Sequence, residues 1–214
     1  MANLYVANHA LITHKLSLLR NKNTGHKEFR ESASEITMLL CYEATRNLKM
    51  KKVGFSTPVE YGEFEMLKNT SFTVVPVLRA GIGMVDAMLT LIPNARIGMI
   101  GIYRNEETLM PVDYYLKLPK DIAKSMVFLV DPMLATGGTA IAAANYLKEA
   151  GCKDMCFICL IAAPFGIENF HNAHPDIDIL AGAVDRELNA NGYILPGLGD
   201  AGDRIFGTDA AAAE

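Results

Sequence analysis

The sequence VFLVDPMLATGGTA, residues 127–140, contains the pattern that decides the fold. An apolar strand ends in a carboxylate, and a short loop with two glycines then opens a helix. Gly137 and Gly138 would let the backbone turn tightly and approach a ligand closely. The hydroxyls of Thr136 and Thr139, with the N–H groups and positive dipole end of the helix, would attract a phosphate group. The segment therefore predicts a phosphate site where the strand meets the helix.

The carboxylate that ends this strand, Asp131, indicates the rest of the ligand. It is a poor partner for phosphate because like charges repel. It is better suited to accept hydrogen bonds from sugar hydroxyls or to help hold a cation. A sugar phosphate is thus the predicted ligand. For this segment alone, the alternative is an ordinary strand-to-helix turn whose glycines serve only tight packing.

Outward from this segment, apolar runs alternate with helical segments. Continuous apolar strands in such an alternation are typical of an α/β fold, in which a twisted parallel sheet has helices on both faces. The predicted strands are residues 72–78, 97–103, 126–130, 155–162 and 177–184. The predicted helices between them are residues 84–91 and 139–150.

The first 50 residues have a helical pattern instead. Phe29 and Ile36 belong to an apolar stripe that steps by three or four residues and predicts a helix over residues 27–48. A shorter helix is predicted over residues 11–19. These helices carry no evident chemistry, so we expect them to pack against the main body or against a second subunit.

Two further segments interrupt the alternation of strands and helices. Residues 104–119, RNEETLMPVDYYLKLP, are polar and lack a helical stripe, so they predict a protruding, flexible β-hairpin arm. The tail, residues 209–214, has low sequence complexity and is expected to fray. No linker or repeat is evident, and we expect residues 1–214 to form one domain with residues 1–50 as its helical N-terminal part.

Three charged residues that directly follow predicted strands are candidates for a binding site. Arg79, Arg104 and Asp131 each stand directly after one of them. In an open parallel sheet, ligands bind beyond the carboxyl ends of the strands. Two cations and one anion should therefore meet at one edge of the sheet. Either arginine alone could equally form a surface ion pair, but the nearby phosphate motif favours a binding site.

A second glycine-rich segment, GYILPGLGDAGDRIFGT, spans residues 192–208. Gly197, Gly199 and Gly202 match the dinucleotide-binding pattern G-x-G-x-x-G literally. The context is wrong, because that pattern should open the first helix of a βαβ unit, whereas here the sequence ends soon afterwards. We interpret the segment as a long ordered loop whose main-chain N–H and C=O groups suit a flat base with amide donors and acceptors.

Composition argues against several other classes of protein. Half of the 214 residues are hydrophobic and 21% are charged, which is typical of a globular protein. The net charge of −4 argues against broad binding to nucleic acid or to an anionic membrane. The N-terminus lacks the continuous apolar core of a signal peptide, and no stretch approaches the roughly 20 apolar residues of a membrane span. The sequence thus predicts a cytoplasmic protein.

The cysteines and histidines are not expected to form functional sites. Cys156 and Cys159 fall within one apolar strand and are three residues apart, so they should face opposite sides of the sheet. With Cys41 and Cys152, they are expected to be small buried apolar side chains. The five histidines are expected at the surface or at helix ends.

Several of these motifs together resemble a known family. The segment VFLVDPMLATGGTA is similar to the loop that binds phosphoribosyl pyrophosphate (PRPP) in type I phosphoribosyltransferases. VLRAGIGMVDAML, RNEETLMPVDYYLKLP and GYILPGLGDAGDRIFGT resemble the uracil phosphoribosyltransferase family specifically, and the similarity extends over nearly the whole chain. The resemblance implies a type I phosphoribosyltransferase fold. It also implies the reaction of uracil with PRPP to give UMP and pyrophosphate in pyrimidine salvage.

The resemblance implies a role for each residue of the motifs. The implied PRPP-binding residues are Arg79, Arg104, Asp131, Pro132, Met133, Leu134, Ala135, Thr136, Gly137, Gly138, Thr139 and Asp200. The implied uracil-binding residues are Ile194, Gly199, Asp200 and Ala201. The implied catalytic residues are Arg104, Asp131 and Asp200. Asp200 would also be the protein's contact to Mg²⁺, the implied cofactor, which would be held mostly through PRPP. The arm would cover the site.

Three positions depart from the common pattern of the family. Most type I relatives have two adjacent acids at the start of the PRPP loop, whereas Pro132 takes the second position here, as in this branch of the family. Thr139 stands where serine is common, and either hydroxyl can donate a hydrogen bond. Ala10 replaces a frequent proline, which affects a turn rather than the site. None of these three departures changes the resemblance to the family.

Three alternatives stay open at this point. They are a phosphoribosyltransferase for another base, a non-catalytic nucleotide-binding regulator of the same fold, and a nicotinamide-dependent oxidoreductase suggested by the glycine pattern. A regulator that binds RNA would need a basic surface, which the net charge disfavours. The apolar helices and sheet edges indicate at least a homodimer. Some members of the family respond to GTP, so GTP is a candidate allosteric effector that the sequence does not decide.

Overall fold

The computed structural model describes residues 2–104 and 111–208, without the side chains of residues 103, 104 and 111–113. The helices are α1 (Ala10–Arg20), α2 (His26–Ala44), α3 (Ile82–Leu91), α4 (Gly138–Glu149), α5 (Pro164–Ala173) and α6 (Ala201–Phe206). The strands are β1 (Leu4–Val6), β2 (Met50–Ser56), β3 (Tyr61–Leu67), β4 (Phe72–Leu78), β5 (Arg96–Ile97), β6 (Met99–Arg104), β7 (Pro111–Lys117), β8 (Met126–Val130), β9 (Met133–Leu134), β10 (Asp154–Ala162), β11 (Asp178–Val184), β12 (Glu187–Leu188) and β13 (Ile194–Leu195). The predicted tail, residues 209–214, and the tip of the predicted arm lie outside the described residues.

A nine-stranded sheet forms the centre of the molecule and confirms the predicted α/β class. Its main path runs β1-β11-β10-β8-β4-β6-β7, while β5 pairs with β4 and β9 pairs with β10. The described pairings in this sheet are parallel apart from that of β6 with β7. Parallel neighbours place their carboxyl ends at one edge, and this edge carries the candidate site.

Helices cover both faces of the sheet because its strands are apolar on both sides. In β8, Phe128 and Val130 belong to one apolar cluster, whereas Val127 and Leu129 belong to the other. Helices α1, α2, α3 and α6 pack into the first cluster, and α4 and α5 pack into the second. The two-residue alternation of side chains along a strand thus divides one apolar run between two cores.

The cysteines and one histidine take the places predicted for them. All four cysteines are free and buried, and Cys156 and Cys159 belong to opposite apolar clusters. Burial raises the pKa of the Cys156 thiol to about 12, so it stays protonated. The ring of His9 caps α1, since its Nδ1 accepts the N–H of Leu11 at 3.2 Å. Within the described residues, no group of three or more metal-ligating side chains occurs.

The predicted helix over residues 27–48 extends too far, because α2 ends at Ala44. The hydroxyl of Thr45 donates to the carbonyl oxygen of Cys41 at 2.8 Å, at the point where the chain leaves the helix. Leu48 still packs against the first apolar cluster. The apolar spacing therefore continues to Leu48, past the end of the helix, and does not show where the helix ends.

The predicted strand over residues 97–103 consists of two strands, β5 and β6, separated at Gly98. A Cβ atom at Gly98 would lie 2.9 Å from Cδ2 of Leu118 and 3.2 Å from Cγ2 of Val75. The chain passes between these side chains only because the residue there is glycine.

Several short or exposed elements escaped the hydrophobic pattern. Inside the predicted helical part, residues 1–50, β1 joins the sheet beside β11. Strands β2 and β3 form a separate antiparallel hairpin whose residues are mostly exposed. Strand β7, within the predicted arm, pairs with β6 and ends the sheet on that side. Among the described helices, none is both long and apolar enough to span a bilayer.

Candidate active site

The carboxyl ends of neighbouring parallel strands meet at one edge of the sheet. Arg79 follows β4, Asp131 follows β8, Ala163 follows β10 and Asp185 follows β11. Arg104 ends β6 at the same edge, but its side chain lies outside the part that the structure describes. Ligands of open parallel sheets bind at such an edge.

The turn after β4 packs directly against the end of β8. The N–H of Gly81 donates to the carbonyl oxygen of Val77 at 2.9 Å. A Cβ atom at Gly81 would lie 2.6 Å from the carbonyl oxygen of Val130, so only glycine fits between the two strand ends. Arg79 is exposed in this turn, and its Nη2 lies 3.1 Å from Oδ1 of Asp203 in α6.

The loop after β8, residues 131–139 (the phosphate loop), is held on one side by the sheet. The carbonyl oxygen of Pro132 accepts the N–H groups of Leu160 and Ile161 at 3.0 and 3.1 Å. Oδ1 of Asp131 accepts the main-chain N–H of Met133 at 3.3 Å. Strand β10 therefore fixes the start of the loop.

Helix α5 supports the other side of the phosphate loop. Nδ2 of Asn169 donates to the carbonyl oxygen of Thr136 at 3.0 Å. A Cβ atom at Gly166 would lie 2.3 Å from the carbonyl oxygen of Ala135, so the helix backbone approaches the loop as only glycine permits. Gly137, with φ of +87°, is the N-cap of α4 and offers no side chain to the first N–H groups of the helix. Those groups can donate to a ligand instead.

The predicted PRPP-binding residues of this loop differ in exposure. Pro132, Leu134 and Gly137 are buried. Those that still reach solvent are Asp131, Met133, Ala135, Thr136, Gly138 and Thr139. The polar side chains of the loop, those of Asp131, Thr136 and Thr139, thus all belong to residues that are only partly buried.

Asp131 has an unusual protonation equilibrium. Its pKa is raised to about 7, first because burial disfavours the charged form and also because the nearby carboxylate of Asp200 repels it, while the N–H of Met133 opposes the shift. Although surrounding protein removes most of its hydration, part of the side chain remains accessible. A bound cation or hydroxyl donors would stabilise the charged form of this carboxyl group.

The C-terminal segment, residues 194–201 (the base segment), lies beside the phosphate loop. Ile194 is buried in the apolar cluster that also contains Val130 at the end of β8. Gly197 has φ of +65°, and a Cβ atom there would lie 2.1 Å from the carbonyl oxygen of Ile194. Gly199 also has a positive φ, +79°. Glycine is therefore required at the close turn of the segment.

The start of α6 brings Asp200 close to Arg79 and Asp131. A Cβ atom at Gly202 would lie 3.2 Å from Oδ1 of Asp200 and 3.7 Å from Nη2 of Arg79. Oδ1 of Asp200 also accepts the N–H of Asp203 at 2.9 Å and so caps α6. The carboxylate of Asp200 contributes to the raised pKa of Asp131, so the two acids lie in the same part of the carboxyl edge. Three segments that are distant in sequence thus meet at this edge, and buried Ala201 lies next to them.

Sequence reasoning missed residues that support this edge. They are Arg20, Asn169, Asp185, Asp203 and Arg204. A signal for Asp185 was present, because it follows a predicted strand as Asp131 does. Arg204 and Asp203 stand inside the glycine-rich segment but do not belong to its glycine pattern. Arg20 and Asn169 had no local signal, since only the tertiary fold brings them to the edge.

A wide groove of about 1340 Å³ lies at the opposite end of the strands, where Phe72, Met126 and Asp154 begin β4, β8 and β10. Its lining mixes lysines such as Lys153 with acids such as Asp154. Size alone does not identify a site. The strand-end groups converge at the other edge, which is where this fold binds ligands.

Comparisons with known proteins agree with this architecture. A family model described as uracil phosphoribosyltransferase matches residues 6–208. A uracil phosphoribosyltransferase from Dictyoglomus thermophilum is 55% identical over 203 residues, which cover 95% of this chain and 98% of that protein. The solved structure of AQ2163 protein from Aquifex aeolicus matches with a TM-score of 0.91 at 35% identity, over 97% of this chain and 99% of the other. An adenine phosphoribosyltransferase from Trypanosoma brucei, at 12% identity and a TM-score of 0.57, shares the fold over 86% of this chain and 84% of its own.

Proposed function

The chain belongs to the uracil phosphoribosyltransferase family, and from that premise we propose that it transfers the phosphoribosyl group of PRPP to uracil. The products are UMP and pyrophosphate. One observation carries the proposal: Arg79, the phosphate loop and Asp200 meet at the carboxyl edge of the sheet.

The sugar phosphate binds along the phosphate loop. The N–H groups at the start of α4 and the hydroxyls of Thr136 and Thr139 hold the 5′-phosphate. Asp131 accepts hydrogen bonds from the ribose hydroxyls. With both ends of the sugar held, the reacting carbon of ribose faces the base along one line of attack.

Pyrophosphate leaves as the uracil nitrogen bonds to the ribose, and negative charge then develops on the leaving group. Arg79 and Arg104 stabilise that charge. In the ligand-free protein Arg79 pairs with Asp203, and 57% of its side chain is exposed. An ion pair so exposed is weak, so pyrophosphate can replace Asp203 as the partner of Arg79.

The side chains at this edge fit a magnesium ion. Asp131 and Asp200 are two carboxylates close enough for one to raise the pKa of the other. Mg²⁺ in enzymes of phosphorylated substrates is commonly held by one or two carboxylates together with phosphate oxygens. Asp200 would hold the ion, mostly through PRPP, and the bound ion would neutralise charge on the leaving pyrophosphate.

Uracil is recognised by main-chain groups of the base segment. Its edge presents alternating amide donors and acceptors, which match the N–H and C=O groups at Ile194 and over residues 199–201. Asp200, within this segment, would lie between the base and PRPP. The arm, residues 104–119, closes over both ligands and keeps water from hydrolysing PRPP.

The direct test is incubation with PRPP, Mg²⁺ and a panel of bases, with UMP and pyrophosphate measured by chromatography. Uracil should be consumed with one pyrophosphate released for each UMP, and omission of Mg²⁺ should stop the reaction. Turnover of another base in preference to uracil would instead identify a related phosphoribosyltransferase. Binding of nucleotide without any turnover would identify a regulator.

Three further properties belong to this proposal. The exposed apolar side chains of the β2–β3 hairpin, such as Val59 at 92% exposure and Tyr61 at 69%, support a homodimer or larger homo-oligomer. The free thiols of all four cysteines suit the reducing cytoplasm. GTP as an activator rests on the family resemblance alone. Light scattering with Val59→Asp tests the first property, and assays with added GTP test the last.

A further inference from the structure

A largely buried ion pair, in which 25% of the Arg20 side chain is still exposed, connects the N-terminal helix to the end of β11. Asp185 is 7% exposed, and Arg20 at the end of α1 binds it through both terminal nitrogens of its guanidinium group. Nη2 of Arg20 lies 2.6 Å from Oδ1 of Asp185, and Nη1 lies 2.7 Å from Oδ2. This parallel two-point geometry fixes the orientation of both side chains.

The same pair binds both polar main-chain groups of Gly197. The N–H of Gly197 donates to Oδ2 of Asp185 at 2.9 Å, and Nη1 of Arg20 donates to the carbonyl oxygen of Gly197 at 2.9 Å. Gly197 lies between Ile194 and Gly199, at the close turn of the base segment. Both peptide planes at this turn are therefore held by side chains that are distant in sequence.

A second arginine holds the next residue of the segment. Nη1 of Arg204 donates to the carbonyl oxygen of Leu198 at 2.8 Å and also to that of Leu19 at the end of α1. Nη2 of Arg204 donates to the carbonyl oxygen of Asn21 at 2.7 Å. The guanidinium stacks on the ring of Phe29, 4.4 Å from its centre. The end of α1 and the base segment are thus joined at two adjacent residues.

Stability alone does not explain an ion pair at this position. A buried ion pair often contributes no more than apolar side chains of the same size, because both charges lose their hydration. The pair instead fixes the orientation of the main chain at Gly197. A base recognised by main-chain groups requires those groups to be held within a few tenths of an ångström, and the base segment has only the two-residue strand β13 to define it.

We propose that Arg20 and Asp185 are positioning residues for the base, with Arg204 as their second support. They hold Gly197 and Leu198 so that the neighbouring main-chain groups face uracil. This inference rests on the proposed function. Neither Arg20 nor Asp185 belongs to the phosphate loop, so their loss should affect the use of uracil far more than the use of PRPP.

The test compares steady-state kinetics of three variants with those of the unaltered enzyme. Arg20→Ala, Arg20→Lys and the paired change Arg20→Met with Asp185→Leu should each raise KM for uracil, by about tenfold for the first and the last. KM for PRPP should stay within about twofold. Lysine keeps the charge but cannot form both parallel bonds, so its effect should be smaller.

The paired change separates positioning from stability. It removes both charges and leaves no buried ion unpaired, but the N–H and C=O of Gly197 lose their partners. The thermal midpoint should therefore fall less than in Arg20→Ala, which leaves the Asp185 carboxylate unpaired, while KM for uracil still rises. Lys15→Ala is the matched control, because Lys15 in α1 pairs with Glu35 in α2 and makes no described contact with the base segment. It should leave both KM values unchanged.

Two outcomes would overturn the positioning role. One is a folded paired variant with a normal KM for uracil, and the other is an equal rise in both KM values. Failure of the unaltered enzyme to form UMP would instead refute the proposed function. If Arg20→Ala does not fold, Arg20→Lys and the paired variant still decide between these outcomes.

Discussion

The phosphate loop and the base segment lie at the same edge of the sheet but are held in different ways. The phosphate loop connects a buried strand to a twelve-residue helix, and its key backbone turn is at its own Gly137. The base segment contains only a two-residue strand and depends on Arg20, Asp185 and Arg204 from elsewhere.

The two regions differ in whether the groups that contact the ligand and the residues that hold them in place are close in sequence. In the phosphate loop, residues that present groups to the ligand are neighbours in sequence, so a local motif reveals them. In the base segment, on our proposal, the main chain presents the groups to uracil and distant side chains orient them. Substitutions in the first region should therefore damage PRPP binding directly, while substitutions around the second should act through geometry.

The largest effect is expected from Asp131→Asn. It removes the charge that accepts ribose hydroxyls or helps hold the cation, and we expect kcat/KM for PRPP to fall by about 100-fold or more. Steady-state kinetics with thermal unfolding as a control would measure this. Loss of activity through misfolding, seen as a lower thermal midpoint, would contradict a role for Asp131 in the ligand site.

Gly137→Ala should damage the phosphate loop more selectively. The φ of +87° disfavours a side chain by about 1 kcal/mol, and the new Cβ atom would lie 3.0 Å from the carbonyl oxygen of Gly166. We expect KM for PRPP to rise about tenfold with little change in KM for uracil, the reverse of Arg20→Ala. If both variants raised the same KM, the distinction between the two regions would be lost.

Asp200→Asn tests the junction between the regions. The amide oxygen can still cap α6, so stability should change little, by about 0.5 kcal/mol. Turnover should fall about tenfold, because the carboxylate beside Asp131 is lost. Unfolding in urea and turnover at saturating substrates would be compared. A large loss of stability with normal turnover would make Asp200 structural.

The smallest effect is a pH dependence of stability in the ligand-free protein. Since the folded-state pKa of Asp131 is raised to about 7 from 3.8, the folded state binds this proton more tightly than the unfolded state. Its contribution to stability is complete below pH 3.8 and is lost as pH rises through 7. As pH rises from about 3.8 to about 7, the free energy of unfolding of Asp131→Asn should therefore increase relative to that of the unaltered protein. Above pH 7 the difference should stay constant. A pH-independent difference would contradict the raised pKa.

The sequence revealed the elements whose chemistry is local. Strands β4 and β8 have the predicted bounds because both are continuous apolar runs between polar residues. The glycines of the phosphate loop predicted the tight turn into α4, and the strand pattern predicted that Arg79 and Asp131 follow neighbouring strands. These features depend on the nearest few residues, so a single sequence is enough to show them.

What the sequence concealed depends on contacts between distant segments. Strand β1 is three exposed residues that acquire strand geometry only by pairing with β11. Asn169 supports the phosphate loop from a helix that lies 33 positions further along the chain. Arg20 and Asp185 are 165 positions apart, and nothing in either neighbourhood indicates their pairing. Tertiary packing decides such features, and local patterns do not contain them.

The most direct test of a single site shared by both regions is a crystal structure with UMP bound. We expect the 5′-phosphate at the N–H groups of residues 137–139, the ribose hydroxyls at Asp131, and the uracil edge against the main chain of Ile194 and residues 199–201. UMP bound in the groove at the opposite end of the strands, or with its base away from the base segment, would contradict it.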